Sequence, residues 1–152
     1  MDTMQRVLSG IKPTGQPHLG NYLGMLKQSV ALQQESSYVR FYFIADLHAL
    51  TVQQDPKTFA QETLNTAMNL LALGLDPELS TIFVQSHIPE HAELAWIFNT
   101  LTPIGELKRM TQFKEKSNEQ SENVNFGLLD YPVLMTADII LYKSELIPVG
   151  DD

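Results

Sequence analysis

The chain contains no cysteine. That excludes a disulfide framework, a thiol nucleophile and any cysteine-bound zinc site, and it fits a reducing compartment. Long apolar runs are also missing: none approaches the roughly 20 residues that a bilayer-spanning helix requires. The first residues, Met1 to Gln5, are polar with no apolar stretch behind them, so no secretory leader is expected. A soluble, cytoplasmic protein without membrane contact is the expectation. Positive charge is scarce, with 10 Lys and Arg against 18 Asp and Glu and a formal charge of −8. A general nucleic-acid coat would be basic, so any RNA contact must be local or lie elsewhere. The basic residues that exist gather at Lys108, Arg109, Lys114 and Lys116, where the plain reading is a solvated helix end. What is present is ordinary for a globular protein: 152 residues, 43% hydrophobic, enough for one domain with a core.

Apolar patterning alternates between short runs of strand type and longer runs of helical type. Strands are expected at Arg6–Ser9, Phe41–Ala45, Thr81–Gln85 and Leu146–Val149. Helices are expected at Asn21–Gln34, with Tyr22, Leu23, Leu26 and Val30 on one face, and at Pro56–Leu73. The latter has Asp55 before it as a cap and Gly74 after it as a stop. Further helices are expected at Glu90–Leu101, which carries the single tryptophan Trp96, over the start of Glu106–Lys116, and at Leu128–Tyr142, interrupted early by Pro132. The stretch Ser117–Asn125 is polar and aperiodic and reads as a loop. Alternating strands and helices predict an α/β fold with a parallel sheet and right-handed crossovers. Ligands of such sheets bind beyond the carboxyl ends of the strands. Attention therefore falls on Gly10–Gly15, Asp46–His48, Ser86–His91 and Gly150–Asp152.

Three patterns could carry chemistry. Gly10-Ile11-Lys12-Pro13-Thr14-Gly15 precedes His18-Leu19-Gly20-Asn21. Two glycines allow a tight turn and close approach of the backbone to a ligand, and Gly20 and Asn21 open a helix whose N-terminus suits phosphate. A strand-to-helix turn without a ligand has the same appearance. Asp138 lies in an otherwise apolar helix. If buried it needs a partner; otherwise it is exposed or caps a backbone group. Met135, three residues earlier, falls on the same face, as a ligand contact or as plain core. His87-Ile88-Pro89-Glu90-His91 matches HxxEH, a zinc-peptidase pattern, but Pro89 disfavours helix between the two histidines, so no metal is expected. Pro89 instead starts the following helix at its first position.

The segment HLGN after GIKPTG resembles the HIGH signature of class I aminoacyl-tRNA synthetases, in the form of the tryptophan-activating family, whose last position is commonly Asn. Further runs resemble blocks of the same family in the same order: ADLHALTVQQDP from Ala45, IFVQSHIPEHAELAW from Ile82, GELKRMTQFKEKS from Gly105, YPVLMTADIILY from Tyr131 and PVGDD from Pro148. The resemblance spans essentially the whole chain. It implies a Rossmann-like parallel sheet with flanking helices and a helical insertion at roughly 87–127, part of a nucleotide-binding catalytic domain. By motif position it implies ATP contacts at Lys12, Pro13, Thr14, His18, Gly20 and Asn21, with a ribose edge at Gly150, Asp151 and Asp152. Lys12 stands where the family often has Gln. The partner implied for Asp138 is the indole N–H of tryptophan, with Met135 against the ring and Tyr131 toward the amino acid's polar end. Leu8, His48, Ile147 and Val149 are implied walls, although His48 could equally be a satisfied core histidine. Gln112 and Lys114 are implied near the pyrophosphate and the tRNA acceptor end.

The reaction so implied joins tryptophan and ATP into tryptophanyl-adenylate, with transfer to tRNA(Trp) following. Lys12, His18, Asn21 and Lys114 are the implied catalytic residues. A carboxylate is already a nucleophile at neutral pH, so no general base is required, and catalysis would rest on positioning and charge. Mg²⁺ would arrive with the nucleotide. The family also implies a homodimer, a KMSKS loop and an anticodon-binding domain; the latter two are not found in these residues, so weak activation by this chain alone is expected. Competing readings are tyrosine activation, a non-catalytic relic serving as a binding or dimerisation module, and a nucleotide-binding stress-protein fold.

Overall fold

The computed structural model describes residues 4–13, 26–111, 113–114, 117 and 124–148. Strands β1 (Gln5–Ile11), β2 (Tyr38–Ile44) and β3 (Thr81–Val84) form a parallel sheet in the order β1-β2-β3. Both inner faces of this sheet are apolar, which a parallel sheet covered on two sides requires. Side chains of β2 alternate accordingly. Tyr42 and Ile44 enter one cluster with Leu26, Leu70 and Leu75. Phe43, with Leu8 and Ala45, enters a second cluster on the opposite face, where Phe41, Phe83, Ile139 and Tyr142 pack against it.

Two helices supply the first face. Helix α1 (Lys27–Leu32) contributes Val30, and Leu26 at its N-terminal edge is fully buried. The rest of the helix expected from Asn21, including Tyr22 and Leu23, lies outside the described residues. Helix α3 (Phe59–Ala72) contributes Ala67 and Leu70. It starts three residues later than its sequence suggests. Asp55 Oδ1 accepts from Lys57 N at 2.9 Å, and the Asp55 carbonyl accepts from the N–H groups of Thr58 and Phe59. Pro56 therefore sits in a capping turn rather than at the first helical position. Gly74 ends the helix as expected, with a φ of 108° that side-chain-bearing residues avoid.

The other face is covered by α6 (Phe126–Leu141). Asn125 caps this helix, its Oδ1 accepting from Leu128 N at 3.0 Å. Helicity continues through Pro132 instead of breaking there. The ring leaves the Leu128 carbonyl without its usual partner, yet Leu128, Leu129, Pro132 and Val133 are all buried, and that burial offsets the lost hydrogen bond. Between β3 and α6 come a 3₁₀ turn (Gln85–His87), α4 (Glu90–Asn99) and α5 (Ile104–Arg109). Pro89 immediately precedes α4, as its cap residue. Leu107 of α5 joins Leu129 and Val133 of α6 in a third cluster, against which Phe98, Met110 and Phe113 pack.

After α6 the chain returns beside the free edge of β1. Leu8 N donates to the Leu146 carbonyl at 3.0 Å, and Leu146 N donates to the Arg6 carbonyl at 3.1 Å. The strand expected at Leu146–Val149 appears among the described residues as one parallel bridge, Val7 to Leu146. Ile147 and Pro148 follow in irregular backbone, and Val149 lies outside the described residues. Among the described residues no helix is long and apolar enough to cross a membrane.

Candidate functional site

Strand register sets the geometry. Ile11 pairs with Ile44, and Ile44 with Val84, so the three carboxyl ends are level. The residues just past those ends are thereby neighbours in space. The segment after β2 turns at once into the short helix α2 (Asp46–Ala49), where sequence suggested a loop. Asp46 Oδ1 accepts from its neighbour Leu47 N at 3.1 Å and from Ser86 N at 3.0 Å, tying the end of β2 to the end of β3. This carboxylate holds the two exits together and directs His48 and Gln85 inward.

Both reach Asp138 on α6. The Asp138 carboxylate, 2% exposed, has three partners. His48 Nε2 lies 2.7 Å from Oδ2, His91 Nδ1 lies 2.6 Å from Oδ1, and Gln85 Nε2 donates to Oδ1 at 2.8 Å. The partners come from α2, α4 and the 3₁₀ turn, so four segments converge on one carboxylate. Burial by itself would push this carboxyl up; the hydrogen bonds from His48 and His91, the His48 charge and the Gln85 amide overcome that and hold it below its ordinary value. A carboxylate accepts about four hydrogen bonds. Among the described residues two partners are on Oδ1 and one on Oδ2, which leaves one lone pair, on Oδ2.

Around the cluster, the Tyr131 ring stands edge-on to His48 at 6.5 Å between centroids. Met135 is 44% exposed, one helical turn before the buried Asp138, so it is not core packing. Leu8 is buried beside Phe43 and Ala45 on the same side of the sheet as α6. Ile147 is exposed. His48 is itself buried and satisfied by Asp138 and, through its own carbonyl, by Thr51 Oγ1 at 2.8 Å. Of the two readings left open for it, the structure shows the satisfied buried histidine.

Sequence reasoning missed His91, Gln85 and Tyr142. His91 is completely buried and its Nε2 is 3.0 Å from the Tyr142 hydroxyl. Tyr142 in turn packs against Phe41 and Phe83, at 4.9 and 5.5 Å between centroids. The HxxEH pattern drew attention to this histidine for the wrong partner. His87 is exposed while His91 points at Asp138, and no metal-holding group of three or more such side chains occurs among the described residues. The available signal was a histidine on an apolar helix within the same protein as an unpaired apolar-face aspartate.

The first loop is described only as far as Pro13. Gly10 belongs to β1, not to the loop, and its lack of a side chain has a structural cause. A Cβ there would come within 2.5 Å of the Phe43 ring. Ala45 N donates to the Ile11 carbonyl at 2.8 Å, so β1 and β2 stay paired to the rim. Lys12 is half-buried and Pro13 buried. Thr14, His18, Gly20, Asn21, Gln112, Lys116, Val149, Gly150, Asp151 and Asp152 lie outside the described residues. Of the basic stretch, Lys108, Arg109 and Lys114 are exposed, and Arg109 pairs with Glu106 one turn earlier. That is the solvated helix end expected from composition.

Comparison with known proteins fits this geometry. Residues 2–152 match the family described as tRNA synthetases class I (W and Y). The chain is 58% identical over 152 residues to a tryptophan–tRNA ligase of Corynebacterium efficiens, covering 99% of this chain and 43% of that protein. It is 55% identical over 147 residues to the corresponding protein of Synechocystis sp., again covering 43% of it. Among solved structures, tryptophanyl-tRNA synthetase from Mycoplasma pneumoniae superposes with a TM-score of 0.92 at 42% identity, over 97% of this chain and 44% of that one. The Campylobacter jejuni enzyme complexed with ADP and tryptophan gives 0.89 at 42% identity, over 97% and 45%. A tyrosyl-tRNA synthetase from Archaeoglobus fulgidus shares the fold at 19% identity and a TM-score of 0.79. The chain thus spans less than half the length of the relatives it matches, and over that span it belongs to the class I tRNA synthetases of the tryptophan and tyrosine family.

Proposed function

We propose that this chain carries the amino-acid half of a tryptophan-activating site, within an enzyme that forms tryptophanyl-adenylate from tryptophan and ATP and passes the activated residue to tRNA(Trp). The observation that carries this reading is Asp138. It is a buried, ionised acceptor at the carboxyl edge of a parallel sheet, and its one remaining lone pair, on Oδ2, is matched by an indole N–H. Among the described residues, the His48, His91 and Gln85 side chains are the partners of the carboxylate. An indole presents only a donor to such an acceptor, whereas a phenol also brings an oxygen that asks for a donor of its own, which favours tryptophan over tyrosine. Tyr131, Met135, Leu8, His48, Ile147 and Val149 would bound the amino acid.

The nucleotide would lie along Lys12, Pro13, Thr14, His18, Gly20 and Asn21, with its ribose at Gly150, Asp151 and Asp152. In the chemical step the tryptophan carboxylate attacks the α-phosphorus, its new P–O bond forming as the bond to pyrophosphate breaks. The work of Lys12, His18, Asn21 and Lys114 is to orient the phosphates and offset the charge that shifts onto the leaving group. Mg²⁺ would accompany the nucleotide and supply further charge neutralisation. We read 87–127 as a helical insertion in the nucleotide fold, a cytoplasmic setting for the enzyme, and poor turnover for these 152 residues alone.

Calorimetric titration with tryptophan tests the reading. Asp138→Asn keeps the shape but turns an amide toward the indole and is expected to weaken binding by roughly 100-fold. Equal affinity for the two proteins would contradict an indole contact at this residue.

Dimerisation is supported by a separate observation. Trp96, Ile97, Leu101 and Ile104 are 71%, 54%, 73% and 55% exposed, and they fall in one stretch of sequence over the end of α4 and the start of α5. A cluster of large apolar side chains at this exposure is characteristic of an interaction surface.

A further inference from the structure

The contacts at Asp138 continue away from the strand ends. His91 bridges Asp138 Oδ1, 2.6 Å from its Nδ1, and the Tyr142 hydroxyl, 3.0 Å from its Nε2. A neutral imidazole carries one N–H and one lone pair. If Nδ1 were the bare nitrogen, its lone pair would face a carboxylate oxygen at hydrogen-bond distance, and one of the two would have to take up a proton. If Nδ1 carries the hydrogen, it donates to Asp138, and Nε2 becomes an acceptor. Tyr142 has a hydrogen to give it. The two ends of the ring thus select one another.

We propose that Tyr142 and His91 are positioning residues: Tyr142 donates to His91 Nε2, which fixes the Nδ1–H tautomer and holds Asp138 ionised, with its Oδ2 lone pair turned to the ligand. The selectivity consequence rests on the reading that Asp138 accepts an indole N–H; the tautomer does not. Burial, with the charges of Asp138 and Glu90, pushes the Tyr142 hydroxyl up to about 12. Tyr142 therefore keeps its proton, and its donor role, throughout the physiological range. Its ring is held independently by Phe41 and Phe83, so loss of the hydroxyl need not displace it. His48, on the other carboxylate oxygen, lacks a tyrosine partner of this kind among the described residues. The bridge is specific to the His91 side.

Nitrogen-15 NMR of the four histidine rings in this chain reads the tautomer directly. The proposal expects His91 as Nδ1–H near neutral pH. It expects Tyr142→Phe to retain the fold, shift the His91 Nε2 resonance as that nitrogen loses its donor, and weaken tryptophan binding about fivefold. His91 found as Nε2–H or doubly protonated in the unaltered chain would overturn it. So would Tyr142→Phe leaving both the Nε2 resonance and the affinity unchanged. The Nδ1–H form in a chain that binds no tryptophan would support the tautomer lock and count instead against the indole reading.

Discussion

A single buried carboxylate organises the site, and its ionisation makes stability depend on pH with a definite sign. Asp138 titrates below its ordinary value of 3.8 in the folded chain. Its contribution is therefore complete above that value and is lost as pH falls through the lowered one. Asp138→Asn should remove this component, so the variant's urea midpoint should fall less between pH 5 and about 3 than that of the unaltered chain. A parallel decline in both proteins would count against an ionised native Asp138. Gly10 offers a second test at this scale. Because an added methyl would meet the Phe43 ring at 2.5 Å, Gly10→Ala should cost about 1–3 kcal/mol, read as a lower melting temperature. An unchanged melting temperature would show that the ring gives way freely.

Elements follow local rules until tertiary packing overrules them. The α/β alternation, the stop at Gly74 and the strand cores were legible because period-two and helical patterns are local. The start of α3 was not, because a turn at Asp55 satisfied the backbone first. Pro132 misled for the opposite reason: the missing hydrogen bond is local, whereas the burial that offsets it is not. The site shows the same division. Asp138 and His48 stood out by type and by motif, but His91 is 47 residues from Asp138 and Gln85 is 53. Nothing in their immediate sequence names the partner. Gly10 was legible as a required glycine and misread as to cause, since Phe43 lies on a different strand. At the head of α6, Asn125 accepts from Leu128 N and donates to the Thr51 carbonyl at 3.0 Å. Asn125→Ala should therefore cost about 1 kcal/mol or somewhat more in chemical denaturation. A change within error would mean that α6 does not depend on its cap.

For the whole molecule, sheet order and strand register matter more than any one helix. Level carboxyl ends at Ile11, Ile44 and Val84 gather His48, Gln85 and the Asp46 tie on one rim. Helix α6, packed across the sheet and along α4, brings Asp138 to that rim with His91 beside it. The apolar cluster from Trp96 to Ile104 leads to a prediction about assembly. The chain should sediment as a dimer at micromolar concentration, and Ile97→Glu with Leu101→Glu should leave a folded monomer. A dimer unaffected by these changes would place the interface elsewhere.

The central claim is that this rim selects an indole through its N–H. The direct measurement compares the affinity of this chain for tryptophan with that for the analogue in which sulfur replaces the indole N–H, a substitution that keeps ring shape while removing the donor. With a buried acceptor left unmatched, the analogue should bind roughly 100-fold more weakly. Equal affinity for the two would contradict the assignment of Asp138 as the indole acceptor.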